Sequence, residues 1–339
     1  MSAAEPDFSA FYYAASVILD PDISITEVYN PNPSQQLVEK YGINQPVKPY
    51  IYSIAVAYIL TPLTLFSYQT AKVVWNLLNI AMYVVAILIP LRLGRASGIY
   101  ALLLVCLGLV FAPFLRNQFW MQTSVFVFLL VSCAVYLMTK GRFYMSGILL
   151  GVATLFKIYP IAVAMVFLFK NWRIPLTTLI VILGSFLIPG SLNWIQAMYN
   201  VGRYYSEGYV LLGPSLFVVF VAIVIFATAL IAFRFRELDY QTLATLAIPA
   251  GIIILPVIEF HFLTVLMFPI IYLLSLYKDD LLLLKIIVLV SIALISAWLK
   301  FPGSLVLWCA ICLWVILTNK INPDLHFNSG RELSVNSIR

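Results

Sequence analysis

The feature that most constrains this chain is a succession of long apolar runs, separated by short polar turns that carry paired cations. The runs lie at 50–66, 72–91, 98–115, 122–138, 144–170, 174–190, 212–233, 242–257, 261–277, 282–298 and 301–319. A helix of about 17 to 25 residues, rising about 1.5 Å per residue, crosses a hydrocarbon layer of about 30 Å. No run alternates like a barrel strand, and a lipid-exposed backbone must satisfy its own hydrogen bonds, so the runs are read as helices. Composition agrees. With 63% of 339 residues hydrophobic, 10% charged and a mean hydropathy of +1.00, the chain has too little polar surface for a water-soluble globule. The expected fold class is an all-α polytopic membrane protein with about 10 to 12 transmembrane helices.

A net charge of +6 raises the possibility of a nucleic-acid partner, but a basic footprint needs cations clustered on one face. Here they come in pairs between apolar runs: Arg92 and Arg95, Lys140 and Arg142, Lys170 and Arg173, Arg234 and Arg236, with Lys278 and Lys320 further on. The charge is therefore topological, these turns are expected in the cytoplasm, and no nucleic acid is expected. All four cysteines lie in apolar runs and are read as packing residues. For Cys309 and Cys312, no nearby His or carboxylate completes a redox or metal site.

Orientation imposes one further constraint. Between Lys140 and Lys170 lies a single apolar run, which as a straight span would put its cationic ends on opposite sides. It is expected instead to be a hairpin turning at Lys157-Ile158-Tyr159-Pro160, where proline cannot donate the helical bond. Its arms are too short to span, so the turn would form the floor of a cavity. The same counting places residues 1–71 outside the cytoplasm as a loop plus an interfacial helix at 50–66, suited by Pro62 and by Tyr50, Tyr52 and Tyr58. Residues 72–319 then form the transmembrane bundle and 320–339 a cytoplasmic tail. An exported N-terminal loop requires a hydrophobic segment ahead of it, so a further helix upstream of Met1 is expected.

Candidate chemistry gathers on the exported side. Asp7, in Pro6-Asp7-Phe8-Ser9-Ala10-Phe11-Tyr12-Tyr13, is an acid at a wet lipid interface and suits a general base. Lys157 is the sharpest signal, because a cation inside an apolar run costs several kcal/mol unless it meets water, an anion or carbonyls. Phosphate is its natural partner. Arg116, Asn117, Gln118 and Gln122 bring donors for phosphate or sugar hydroxyls to an outer turn, and Glu259 and His261 sit at the outer junction of two later spans. The loop 191–211, with Asn193, Trp194, Arg203, Tyr204, Tyr205 and Glu207, adds aromatic and polar groups. Donor contacts are expected from Lys157, Arg116, Gln122, His261 and Tyr159, and acceptor contacts from Glu259, Arg203 and Tyr204. The chain has no Gly-rich phosphate loop, zinc-ligand spacing or nucleophile elbow. No cofactor is expected and no metal site is assigned, since one exported acid alone, Asp7, lies in a recognisable motif, and the sequence leaves assistance by a divalent metal open; a lipid-carried donor suits an exported site.

Taken together, Asp7-Phe8 with Tyr12-Tyr13-Ala14-Ala15, Gln122 opening a span, the stretch Gly147-Ile148-Leu149-Leu150-Gly151 running to Lys157-Ile158-Tyr159-Pro160, and Lys170-Asn171-Trp172-Arg173 resemble glycosyltransferase family 87. That family of GT-C-fold membrane enzymes, also known as a domain of unknown function, contains mycobacterial polyprenyl-phosphate-mannose-dependent mannosyltransferases. The likeness runs from Asp7 to about Pro269. It implies a GT-C-like bundle in the cell membrane, with Asp7 as general base, Lys157 and His261 as polar cavity residues near the donor, and Gln122 as the family's Gly-Gln element. Met121 stands in place of that glycine, and Tyr52-Ser53 in place of a Tyr-Pro-Pro-like start to the interfacial helix.

The expected function is inverting transfer of a hexose, by resemblance mannose, from a polyprenyl-phosphate sugar to an extracytoplasmic lipid-linked or glycan acceptor. Two rivals from other classes also accommodate a buried Lys and His. A transporter or lipid flippase tends to show repeated halves, and no convincing repeat is found here. A non-catalytic subunit of a glycan-assembly complex would tolerate the altered Gly-Gln element. No pattern specifies an oligomeric state.

Overall fold

A computed structural model describes residues 7–202, 213–255, 259–276, 282–297 and 299–321 of the chain. Among them every regular element is helical, as the apolar runs require. Helix α1 (Phe8–Leu19) opens the fold, followed by α2 (Gln35–Lys40) and α3 (Ile54–Leu60), which continues as a 3-10 turn over Thr61–Leu65. Helices α4 (Tyr68–Gly94), α5 (Gly98–Leu109), α6 (Ala112–Trp120), α7 (Ser124–Thr139), α8 (Phe143–Phe156) and α9 (Pro160–Val166) come next. The remainder are α10 (Arg173–Ser185), α11 (Ser191–Gly202), α12 (Gly213–Arg234), α13 (Tyr240–Ile253), α14 (Met267–Ser275), α15 (Leu282–Ser296) and α16 (Lys300–Ile321).

Among the described residues, α4, α12 and α16 are long and apolar enough to cross a bilayer alone; α5 and α6, bent by 49° between them, make a fourth candidate. Most other runs are apolar helices of 10 to 17 residues. The architecture is that of a polytopic helical membrane protein whose spans are largely broken. Breaks follow the sequence: Pro113 opens α6 and Pro160 opens α9, each at a helix start where a missing N–H costs nothing.

The run from 144 to 170 folds as a hairpin. Phe143 at the start of α8 and Phe167 beyond α9 both approach the ring of Tyr240, with centroids 5.6 and 6.0 Å away, so the chain returns to the level it left. The turn falls at Lys157, whose backbone is extended between the two helices. Gly147 and Gly151 make α8 possible, for a Cβ at Gly147 would lie 2.7 Å from the Ile174 carbonyl, and one at Gly151 2.6 Å from the Val181 Cβ. This small-xxx-small face lets α8 seat against α10 at backbone distance.

Two ends of the bundle emerge from such contacts. At one end, Lys170 donates to the carbonyls of Leu238 and Arg236, while Gly94 packs against Ser275 and Tyr272. The cationic turns 92–95, 140–142, 170–173 and 234–236 thus share this end. Helix α4, about 40 Å long at about 1.5 Å per residue, carries the chain to the other end.

The N-terminal region differs from the loop expected of it. Residues Phe8–Val17 form a buried helix, with Phe8, Phe11, Tyr13, Ala14 and Ala15 at 1% exposure or less. The aromatic stretch is packed rather than laid on a surface: Phe8 lies 5.9 Å from Tyr68 and 6.3 Å from Trp75, ring to ring. Tyr50 and Tyr52, expected as interface anchors, are likewise buried; Tyr58 is exposed. Aromatic rings anchor an interface when no protein face is available, and here α1 supplies one. Outside α1, Asp20 receives the Lys40 ammonium at 2.5 Å and the Tyr41 hydroxyl at 2.8 Å, contacts that hold its carboxyl below the usual range. That clasp ties the end of α1 to the end of α2.

Candidate active site

Asp7 stands at the entry of α1, a position where aspartate ordinarily caps its own helix. Its carboxylate makes no such bond. Instead its N–H donates to the Trp120 carbonyl at 3.1 Å, docking the start of α1 on the end of α6. Its Oδ1 pairs with Lys48 Nζ at 2.7 Å and its Oδ2 accepts from Gln122 Nε2.

Gln122 owes its position to the way α6 ends. Met121 adopts the left-handed conformation, φ 52° and ψ 43°, and the Gln122 N–H turns back to the Asn117 carbonyl at 3.0 Å. This is the C-terminal turn for which glycine is preferred, and Met121 adopts it with a positive φ. The Trp75 indole N–H donates to the Met121 carbonyl at 2.9 Å and clamps the turn. From this platform Gln122 donates to Asp7 through its amide nitrogen, while its Oε1 accepts from the Tyr52 hydroxyl at 3.0 Å and from Lys157 Nζ at 3.4 Å. One amide thus joins the acid to the buried cation.

Lys157 sits at the hairpin apex with 7% of its surface exposed. Its ammonium donates to the Tyr52 hydroxyl at 3.0 Å and lies 4.1 Å over the Phe262 ring. Burial holds Tyr52 protonated well above the ordinary phenol range, so its hydroxyl keeps a proton for Gln122 while accepting from Lys157. His261 Nε2 approaches Lys157 Nζ at 3.4 Å and Glu259 Oε2 at 3.1 Å. That nitrogen can donate to Glu259 or accept from Lys157 but not both, and the shorter contact is the one to Glu259. A second return of the chain, from α13 through Glu259 and the 3-10 turn Phe260–Leu266 into α14, brings these groups opposite the Lys157 apex. Gly251 lets the two returns pack, since a Cβ there would lie 3.1 Å from the Tyr159 carbonyl.

These side chains surround a cavity of about 110 Å³, lined by Asp7, Lys48, Tyr52, Gln122, Lys157 and Glu259, with Phe11 and Phe262 as aromatic walls. Of the residues singled out from sequence, Asp7, Gln122, Lys157, Glu259 and, behind the wall, His261 come together. Arg116 does not line the cavity: its guanidinium lies 4.8 Å over Trp120 and 5.3 Å over Phe119, although its charge is felt at His261. Tyr159 points away as well, buried at 1% exposure with its hydroxyl unpaired among the described residues. Arg203 and Tyr204 lie outside the described residues.

Three cavity residues escaped the sequence reading. Lys48 pairs with Asp7 and lies 4.3 Å over the Trp120 ring, but a lysine in a polar loop carries no pattern that sets it apart. Tyr52 and Phe262 looked like an interface anchor and an apolar filler. Their proximity to a buried cation is visible in space alone, across 105 residues in the case of Tyr52.

The class these features define is a polytopic helical membrane protein that gathers an acid, an amide and a buried cation around one cavity. The model of a family described as Glycosyltransferase family 87 matches residues 50–256, more than half of the chain, and the chain belongs to that family. Tyr52, Gln122 and Lys157 fall inside the matched stretch, whereas Asp7, Lys48, Glu259 and His261 fall outside it. No curated protein and no solved structure matches the chain.

Proposed function

We propose that this membrane glycosyltransferase moves a hexose, mannose by the family resemblance, from a polyprenyl phosphate to a hydroxyl of a lipid-linked or glycan acceptor. In this reading residues 1–71 and the cavity face the extracytoplasmic side of the cell membrane, 72–319 form the bundle and 320–339 the cytoplasmic tail. The basic turns gathered at the opposite end of α4 support that orientation. Asp7 accepts the acceptor proton as the hydroxyl attacks the anomeric carbon, so the configuration inverts. Lys157 stabilises the charge that grows on the departing phosphate. Charge comes from the protein, and the reading invokes no metal.

The observation that carries this reading is the single amide of Gln122 bridging Asp7 and Lys157 at one cavity. A base and a leaving-group cation must address opposite sides of one anomeric carbon, and a shared rigid bridge holds their spacing. The test is to incubate the purified full-length protein in nanodiscs with radiolabelled polyprenyl-phosphate mannose, polyprenyl-phosphate glucose or GDP-mannose, in the presence of a membrane-lipid extract. Label should pass to acceptor from a lipid-linked donor and not from the nucleotide sugar; the reverse pattern rejects the proposed donor.

A further inference from the structure

Asp7 is fully engaged in a way the proposed chemistry must undo. Its Oδ1 is held by Lys48 at 2.7 Å and its Oδ2 by the Gln122 amide, yet a general base has to offer a lone pair to an acceptor hydroxyl. Gln122 is fixed by the turn that ends α6. Lys48 is held differently. It lies on the irregular stretch 46–50, its side chain is 39% exposed, and its ammonium rests on the Trp120 ring at 4.3 Å. A compact ammonium on a four-carbon stem can change partners without moving the backbone. Lys48 and Lys157 also line the same cavity, so a phosphate entering there meets two cations.

Charge moves during the transfer. As the acceptor oxygen bonds to the anomeric carbon, the bond from that carbon to the phosphate oxygen breaks and its electron pair stays with the phosphate. The acceptor proton goes to Asp7. Before the step the carboxylate and the donor phosphodiester carry one negative charge each; afterwards the acid is neutral and the lipid phosphate carries two. A cation shared between them is drawn from the first to the second.

We propose that Lys48 is a second phosphate ligand of the cavity, parked on Asp7 while the site is empty and transferred to the lipid-linked phosphate as the sugar leaves. The proposal rests on the donor class assigned above and adds the partner exchange. It is tested by equilibrium binding of polyprenyl phosphate, with uncharged polyprenol as control, to purified full-length wild type, Lys48→Ala, Lys48→Arg, Asp7→Asn and the Asp7→Asn/Lys48→Ala double variant. Lys48→Ala should bind polyprenyl phosphate about tenfold more weakly and Lys48→Arg within about threefold of wild type. Asp7→Asn should bind about threefold more tightly because it frees Lys48, and that gain should vanish in the double variant. All five should bind polyprenol alike. Unchanged binding by Lys48→Ala, or a gain from Asp7→Asn that persists without Lys48, overturns the exchange and leaves the donor class standing. Wild type that does not distinguish polyprenyl phosphate from polyprenol overturns both.

Discussion

The two ends of the bundle use cations in opposite ways. At the basic end Lys170 spends its charge on backbone carbonyls, those of Arg236 and Leu238, and Arg236 lies 3.8 Å from Glu237 with both side chains largely exposed. At the other end Lys157 is buried among a phenol, an amide, an imidazole and an aromatic face, with no carboxylate within ion-pair distance among the described residues. The exposed Arg236–Glu237 pair is solvated and contributes little to stability, whereas Lys170 is half-buried and held by its two carbonyls. Lys157 is a desolvated cation whose hydrogen-bonding partners are neutral and whose nearest carboxylates, Asp7 and Glu259, lie elsewhere on the cavity wall, an arrangement that is costly at rest and strongest when an anion arrives. Chemistry in such a chain belongs with the buried cation whose direct partners are all neutral.

The contrast is broken most directly by neutralising one lysine at each end. Lys157→Met should lower sugar transfer by about 10²- to 10³-fold, on the order of 3 to 4 kcal/mol of transition-state stabilisation, while the protein remains folded. Lys170→Met should instead lower the melting temperature and leave transfer per folded molecule near wild type, because it loses two carbonyl contacts remote from the cavity. Transfer assays normalised to the folded fraction from size-exclusion chromatography separate the two. Equal losses in both variants would erase the distinction between the ends.

Gln122→Ala comes next, with an expected loss of about 10- to 100-fold in kcat, since the amide serves Asp7, Tyr52 and Lys157 at once. Gln122→Glu should be no better than Gln122→Ala, because a second carboxylate beside Asp7 removes a donor and adds repulsion. Comparing kcat of the two variants under saturating donor checks this. Recovery of activity by the glutamate variant would mean that Gln122 acts as an acceptor alone.

The hairpin around Lys157 was legible in the sequence because four cationic pairs and one proline left no straight path for residues 144–170. Glu259 and His261 were legible for the same reason, as the polar interruption between two apolar runs. What remained hidden depends on side-chain direction. Arg116 and Tyr159 lie near Gln122 and Lys157 in sequence, but the first rests on the Trp120 ring and the second is buried in the packed interior. Lys48 reaches Asp7 across 41 residues of chain, and nothing local marks that meeting. Residues 8–19 read as loop because they sit within the polar N-terminal stretch, and they fold as a buried helix. Their aromatic and alanine faces are what α3, Tyr68 and Trp75 pack against.

Smaller effects sharpen the account of how the active end is held. Gly151→Leu should destabilise the protein by about 1 to 3 kcal/mol, since any side chain there collides with Val181 and prises α8 from α10. A fall in melting temperature accompanied by a higher donor KM is expected, because α8 ends at Lys157. Met121→Gly should act in the other direction, gaining up to about 1 kcal/mol by relieving the left-handed backbone. The loss of partly buried methionine contacts offsets part of that gain. A small rise in melting temperature with unchanged transfer is the expected result.

If the carboxylate beside Gln122 and Lys157 activates the acceptor, single-turnover transfer of radiolabelled sugar from a polyprenyl-phosphate donor by Asp7→Asn protein in nanodiscs will show it. Donor should still bind while the transfer rate falls by about 10²-fold or more. Transfer by Asp7→Asn at the wild-type rate would contradict it.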